Sequence, residues 1–411
     1  MLWSPQQEDA LSQVSRWLKS GNEQVFHLFG YAGSGKTTMA KDIASKVNGR
    51  VIFAAFTGKA AYVLQTKGCD GATTIHSLIY NSRDKGTKTL KEMETQLKTL
   101  IDELREDGMS QSAIDIHPRV RDLTIQIKAE REDVQRPFFV LNEESEIRSA
   151  KLVIIDECSM VDAKMGEDLL SFGVKVLVLG DPAQLPPIGG AGYFTNIERP
   201  QVMLEEIHRQ AEESPIIRMA TEVRNGQKPK IGSYGEGCEY VDFGDSKMPA
   251  ELALQFDQIL VGKNATRFAT NRRVRKLKGI EDKYPIAGDR LVCLNNNHDE
   301  GLLNGAIYNV MNVMGVMDQK VHMDIVPEDS KRGMSVMAHE QYFLGEEPSW
   351  FEKREAECFD FGYALTVHKS QGSQWDSVLL FDESFCFRKD KWKWLYTGIT
   401  RAAKKITVVR M

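Results

Sequence analysis

The sequence has 411 residues, 42% of them hydrophobic, and a formal net charge of −5. That length points to two to four domains with ample cores, and no apolar run reaches the roughly 18–20 residues of a membrane-spanning helix. The acidic balance gives no global support for nucleic-acid binding, so any such surface has to be local. The six cysteines (69, 158, 238, 293, 358 and 386) form no C-x-x-C pair. This speaks against a zinc site or a disulfide framework and for a reducing cytoplasm. Residues 1–13 are polar, so no signal peptide is expected.

In chain order, Ser4-Pro5 suits a helix N-cap followed by proline, with Ala10, Leu11, Val14, Trp17 and Leu18 on the buried side. Gln7 has two open readings, a hydrogen bond to an adenine edge or a solvated first-turn glutamine. Gln24–Phe29 reads as a strand. Gly30-Tyr31-Ala32-Gly33-Ser34-Gly35-Lys36-Thr37-Thr38 matches the P-loop pattern G-x-x-x-x-G-K-[ST], and Thr37–Val47 reads as the helix after it. In that setting the loop amides and the helix N-terminus face a phosphate. Gly33, Ser34, Gly35, Lys36, Thr37 and Thr38 are the expected nucleotide contacts. Lys36 reaches the β- and γ-phosphates, and the Thr37 hydroxyl ligates Mg²⁺.

Val51–Phe56 reads as a strand, and helices open at Thr57-Gly58-Lys59 and at Thr73–Leu78. Asn81–Ala150 differs in character. Lys88–Glu106 is highly charged, with Leu90, Met93, Leu97, Leu100, Ile101 and Leu104 at helical spacing, and Arg119–Asp133 is also charge-rich. We read this stretch as an insertion with a solvated charged helix. A hairpin is expected between Phe138–Leu141 and Glu146–Leu152 around Asn142-Glu143-Glu144-Ser145. Lys151–Asp156 and Val174–Leu179 are apolar strands ending in Asp156-Glu157 and Gly180-Asp181. Carboxylates at the C-terminal ends of parallel strands sit in the ligand crevice. Asp156 is placed to hold Mg²⁺, Glu157 to orient and deprotonate water, and Gln184 to sense the γ-phosphate.

Asp156–Asp162 and Gly180–Pro187 resemble motifs II and III of superfamily-1 helicases, in the 5′-to-3′ branch that holds the phage Dda and RecD-type proteins. The P-loop is then motif I, Ala55–Ala61 resembles motif Ia and Thr74–Ser77 motif Ib. Leu204–Gln210 resembles motif IV, with Arg209 as its arginine. Val261–Leu277 resembles a strand-then-helix segment with a Thr270-Asn271 turn. Thr366–Gly372 resembles motif V, and Tyr396–Ala402 resembles motif VI with Arg401 as arginine finger. Two residues depart from the pattern: Phe56 stands where proline is common, and Trp375 where a small polar or acidic residue is usual. The insertion is also longer and more charged than its counterpart in Dda.

The resemblance implies an α/β chain of two RecA-like P-loop domains. The first is 1–80 and 149–200, with 81–148 inserted as a helical segment carrying a pin hairpin. The second is 201–288 and 356–411, with 289–355 inserted as a small SH3-like β-barrel. ATP and Mg²⁺ sit between them, served catalytically by Lys36, Glu157, Gln184, Arg209 and Arg401, with Gln7, Gln371 and Gly372 also at the nucleotide. Single-stranded DNA crosses Thr57, Lys59, Thr74 and His76 on the first domain. On the second it crosses Thr270, Asn271, Thr366, His368 and Lys369. Phe138 or Phe139 is a strand-separating pin or a core residue of the hairpin. Arg267, Arg272, Arg273, Arg275, Lys276 and Lys278 are a nucleic-acid edge or a solvated helix face.

The implied activity is ATP-dependent unwinding of tailed duplex in replication, recombination or repair. It would be carried out by a monomer in a bacterial or phage-infected cytoplasm, with a single-strand-binding protein or replisome component as partner. The alternatives are a translocase or RNA helicase that needs a partner to unwind, and a nucleotide-dependent clamp.

Overall fold

The computed structural model describes residues 3–83, 88–135, 138–187, 190–206, 213–244, 248–297, 300–328, 330, 332–348, 353 and 355–411. Of residues 82, 83, 88–91, 112, 129–135, 138, 139 and 250 it describes the backbone alone. The chain forms two compact units, one of residues 1–79, 144–347 and 356–411 and one of 80–143 and 348–355.

The larger unit starts with α1 (Pro5–Ser20), whose cap is a reciprocal pair. The Ser4 hydroxyl accepts from the Gln7 amide, and the Gln7 side chain accepts from the Ser4 amide. With proline at the first helical turn, this fixes the helix start. Ala10, Val14 and Trp17 recur at helical spacing and are buried. Then come β1 (Val25–Gly30), α2 (Lys36–Lys46), β2 (Val51–Ala55), α3 (Gly58–Thr66), β3 (Thr73–Thr74) and α4 (Ile75–Ile79).

The smaller unit holds β4 (Tyr80–Arg83), α5 (Lys88–Glu106), α6 (Gln111–Asp115), α7 (Pro118–Gln135) and β5 (Phe138–Leu141). On α5, Met93, Leu97, Leu100, Ile101 and Leu104 are half-buried, while Glu92, Lys98, Asp102, Glu103 and Arg105 are exposed. The charged helix is therefore a solvated face with one narrow apolar stripe. The expected hairpin is corrected. β5 pairs antiparallel with β4, Tyr80 opposite Leu141. Glu146–Ser149 is a 3₁₀ turn capped by Ser145, whose hydroxyl donates to the Leu78 carbonyl at 2.6 Å.

The larger unit resumes with β6 (Leu152–Asp156), α8 (Ala163–Leu170), β7 (Val176–Gly180) and β8 (Val202–Leu204). They complete a six-stranded sheet in the order β3-β2-β6-β7-β1-β8. All its pairings are parallel. The central strands β2, β6 and β7 are near-continuous buried apolar runs, as expected where both faces of a parallel sheet are covered. Because every strand points the same way, the segments leaving β1, β6 and β7 open on one edge.

The remainder contributes α9 (Pro215–Arg224), β9 (Gly232–Gly235), β10 (Cys238–Val241), β11 (Gln258–Val261), α10 (Asn264–Leu277), β12 (Arg290–Cys293), β13 (Ile307–Met317), β14 (Lys320–Pro327), β15 (Met334–His339) and α11 (Glu340–Leu344). It ends with β16 (Phe359–Phe361), β17 (Ala364–Thr366), β18 (Trp375–Asp382), α12 (Lys391–Ile399) and β19 (Ala402–Arg410). A second six-stranded sheet runs β17-β11-β18-β19-β10-β9, parallel except for β9. A five-stranded antiparallel sheet runs β15-β14-β13-β12-β16. One apolar core spans these two sheets, from Ile259 and Val261 to Val321, Met323 and Ile325.

Glu383 pins the start of α10. It accepts from the amides of Gly262 (2.7 Å) and Lys263 (3.0 Å), the Thr266 hydroxyl (2.7 Å) and the Lys263 ammonium (2.9 Å). Burial alone would push its carboxyl up, but the bonds from Lys263, Thr266 and Gly262 outweigh burial and hold it below the ordinary 4.5. A carboxylate depressed on folding contributes stability that is complete above its unfolded value and is lost as pH falls through the folded one. Glu383→Gln is therefore expected to melt below the wild type near neutrality. That gap should narrow below about pH 4 as the wild-type carboxylate protonates, which melting curves across pH would read.

Candidate active site

The edge onto which β1, β6 and β7 open gathers the polar residues of the first sheet. After β1 the chain turns through Gly33 and Gly35, both left-handed at φ 81° and 82°, and Gly35 leads directly into α2. A side chain would be strained at either position, and a glycine turn of this kind running into a helix start is suited to form an anion seat from backbone amides. The Lys36 ammonium donates to the carbonyls of Gly30 (2.6 Å) and Tyr31 (3.0 Å), resting on the loop it serves. Thr37 Oγ1 donates to Asp156 Oδ2 at 3.1 Å, so hydroxyl and carboxylate meet in one place.

Glu157 follows in the left-handed region, φ 53° and ψ 43°, with its amide on Asp156 Oδ1 at 2.9 Å. Such strain in a non-glycine residue gathers at functional sites. Burial pushes the Glu157 carboxyl up and the Arg401 guanidinium pulls it back. Gln7 is buried, and its Nε2 donates to the Ser34 carbonyl at 3.0 Å. The solvated reading is thereby excluded: Gln7 braces the P-loop backbone. Ser34 Oγ, Gln184 Oε1 and Gln371 Oε1 are buried without a hydrogen-bond partner. Orphan polar atoms are costly, and one of the three, Ser34 Oγ, belongs to the P-loop itself, where a polar ligand would satisfy it.

The second lobe meets this edge through α12 and the segment after β17. Arg401 is 6% exposed. Its guanidinium donates to Thr397 O (3.1 Å), Ser373 O (3.2 Å) and Thr400 Oγ1 (3.2 Å), all on its own lobe. Residues missed from sequence join the lobes. The Ala32 amide donates to the Tyr396 hydroxyl at 3.1 Å, which donates to Asp181 Oδ2 at 2.6 Å. The Leu185 amide donates to Thr397 Oγ1 at 3.0 Å, and Gln371 Nε2 donates to the Leu185 carbonyl at 3.0 Å. Asp181 directly follows β7 as Asp156 ends β6, and that parallel was the available signal. Burial pushes the Asp181 carboxyl up, against Lys36 and the Tyr396 bond. Arg209 lies outside the described residues, as do the side chains of Phe138 and Phe139.

The expected strand contacts divide. The Thr57 hydroxyl caps α3 by accepting from the Ala60 amide at 3.1 Å. The Thr74 hydroxyl accepts from the Ser77 amide and meets the Ser77 hydroxyl at 2.8 Å, and Thr366 accepts from the Lys369 amide. These three hydroxyls are turn caps, and a hydroxyl that accepts from an amide keeps its own proton to donate. Gly372 packs against Thr57 and Ala60, where a Cβ would meet Ala60 at 2.8 Å. Thr270 and Asn271 lie inside α10, and no turn separates them. Asn271 is 1% exposed and bonded to the backbone of Phe361 and Ala364, so it is a core residue and cannot touch a strand.

Lys59, His76 and His368 are half-buried, while Lys369 is exposed as a residue with its ammonium end turned into the protein. Burial pushes the two imidazoles down, and burial with Arg267 does the same to the Lys369 ammonium. The basic cluster also splits. Arg275 is buried against Asp289 at 2.9 Å and Arg267 pairs with Asp360, leaving Arg272, Arg273, Lys276 and Lys278 exposed.

Residues 3–239, more than half of the chain, match the AAA domain family. The chain belongs to that family. Behind the AAA domain, residues 361–409 match the UvrD-like helicase C-terminal domain. The AAA-domain chain is 27% identical over 278 residues to the ATP-dependent RecD2 DNA helicase of Deinococcus radiodurans, covering 61% of this chain and 35% of that protein. It is 25% identical over 256 residues to the conjugal transfer protein TraA of Agrobacterium fabrum, covering 55% of this chain and 22% of that one. The chain thus spans about a third or less of these curated relatives' length.

Among solved structures it is similar to a Bacteroides Pif1 helicase in complex with ADP-AlF3 and ssDNA, at TM-score 0.54 and 20% identity over 99% of this chain and 92% of that one. A structure of two coordinating Pif1 helicases at forked dsDNA gives 0.55 and 19% over the same shares. The fold is Pif1-like, with RecA-like parallel sheets. Among the described residues no helix is long and apolar enough to cross a membrane.

Proposed function

We propose that this chain is an ATP-dependent DNA helicase that moves 5′ to 3′ on a single strand and unwinds tailed duplex. The observation that carries the reading is the cleft itself. The P-loop, the Asp156–Glu157 pair and the buried Arg401 face one another across two lobes joined at Asp181, Leu185 and Tyr396. The recognised family and the DNA named with its relatives support it.

On this reading ATP lies on Gly33–Thr38, and Lys36 leaves the Gly30 and Tyr31 carbonyls for the β- and γ-phosphates. Among the described residues no group of three or more His, Cys, Asp or Glu could hold a metal by itself. The Thr37 hydroxyl and Asp156 carboxylate, already 3.1 Å apart, are the hard oxygen donors that Mg²⁺ takes when phosphates complete its shell. The ion, when bound, neutralises developing phosphate charge. Glu157 orients the attacking water and takes its proton. Gln184 and Gln371 offer their unpartnered carbonyl oxygens to the nucleotide and its water.

Arg401 completes the site only when released from Thr397, Ser373 and Thr400. Hydrolysis is thereby conditional on lobe movement, the condition that couples turnover to stepping. The antiparallel sheet of 289–355 is then the SH3-like insertion of the second lobe, and 81–148 the insertion of the first. Strand contact falls on Lys59, His76, His368 and Lys369, with backbone phosphates giving salt-sensitive binding. The experiment is ATP-dependent unwinding of duplexes with a 5′ or a 3′ tail, with phosphate release followed in parallel. Strand-stimulated hydrolysis without unwinding would favour the translocase, and binding without turnover the clamp.

A further inference from the structure

Where motif V ends, a cleft of about 350 Å³ lies between Lys59 of the first lobe, Gly305 and Ile307 at the start of β13, and Ser373, Gln374 and Trp375 of the second lobe. That volume falls within the roughly 300–1,000 Å³ of small-ligand pockets. We propose that this cleft seats one base of the single strand and that the Trp375 indole stacks on it. The proposal rests on the strand-binding reading above and names one of its contacts.

The chemistry of the walls selects the base over the phosphate. Three carboxylates line the cleft, Asp257, Glu328 and Asp376, against Lys59 as the cation among the described lining residues. Each carboxylate is already committed. Asp257 accepts from the Ser377 amide and hydroxyl, both at 2.8 Å, Glu328 pairs with Arg290 at 2.9 Å, and Asp376 pairs with Lys404 at 2.7 Å. A phosphate would meet three negative groups whose partners are taken, whereas a neutral base meets none of that repulsion. The indole is half-buried, braced on one side by the core of the second sheet. An aromatic held in that way gives a stacking platform that tolerates any base.

The cleft is wired to the arginine finger from both sides. The Trp375 amide donates to the Arg401 carbonyl at 2.9 Å, and the Arg401 guanidinium donates to the Ser373 carbonyl at 3.2 Å. A base that shifts the Ser373–Trp375 segment therefore shifts the bonds that hold Arg401 back.

The test uses the full chain and a fluorescein-labelled oligothymidylate followed by anisotropy. Trp375→Leu keeps an apolar side chain against the core but loses the aromatic face. It should weaken binding by roughly ten-fold or more and raise the strand concentration that half-maximally stimulates hydrolysis. Trp375→Tyr should restore both. In the unaltered protein, an oligonucleotide carrying 5-iododeoxyuridine should cross-link to Trp375, which decides the matter if the leucine variant does not fold. Wild-type binding with an unaffected leucine variant, or a cross-link mapped elsewhere, would overturn the base site alone. A wild type that binds no oligonucleotide would overturn the strand-binding reading, and the base site with it.

Discussion

Lys36→Ala is expected to abolish ATP hydrolysis, a loss on the order of 10²–10³ or more, the scale seen when one preorganised donor to developing charge is removed. The expectation follows from where the side chain sits. Its ammonium is held at 2.6 and 3.0 Å on the Gly30 and Tyr31 carbonyls, at the mouth of the glycine turn, poised for a phosphate. The same geometry says the fold should survive, because these bonds close a loop and brace no core. Phosphate release with and without single-stranded DNA is the measurement, beside a melting curve. Substantial strand-stimulated hydrolysis by a folded variant would remove the P-loop from the mechanism.

Arg401→Ala is expected to keep ATP binding and lose turnover by about 10³–10⁵, the range an arginine finger contributes in other P-loop enzymes. Arg401 is the stronger of the two cations, with Lys36, whose fields oppose burial at Glu157, and its three hydrogen bonds all stay within its own lobe. Those bonds also satisfy buried carbonyls, so some stability should go with them. Arg401→Lys is the companion variant, keeping a charge without the planar fork. Binding of a fluorescent ATP analogue separates affinity from turnover. Near-wild-type hydrolysis by Arg401→Ala would make Arg401 a structural residue, and by Arg401→Lys alone would show that charge suffices without the planar fork.

Much of the first sheet and its P-loop were legible because their signals are local: glycine spacing, apolar runs of one strand length, carboxylates at strand ends. The join between the lobes was not. Tyr396 meets Asp181 and Ala32 across 215 and 364 positions of sequence, and no periodicity encodes such a bond. Asn271 misled for a related reason. It lies on a basic helix, and only the passage of β16 and β17 beside it turns a polar side chain into a core one. β16 is three residues long, too short for its alternation to register, and it leaves the antiparallel sheet incomplete when read from sequence. The hairpin failed because β5 found its partner in β4, across the whole charged insertion.

The most direct test of the central claim is a single duplex carrying either a 5′ or a 3′ single-stranded tail, unwound by the wild-type chain with ATP and Mg²⁺. The account predicts strand separation from the 5′ tail only, with hydrolysis stimulated by the strand. Unwinding from the 3′ tail alone, or no ATP-dependent separation from either tail, would contradict it.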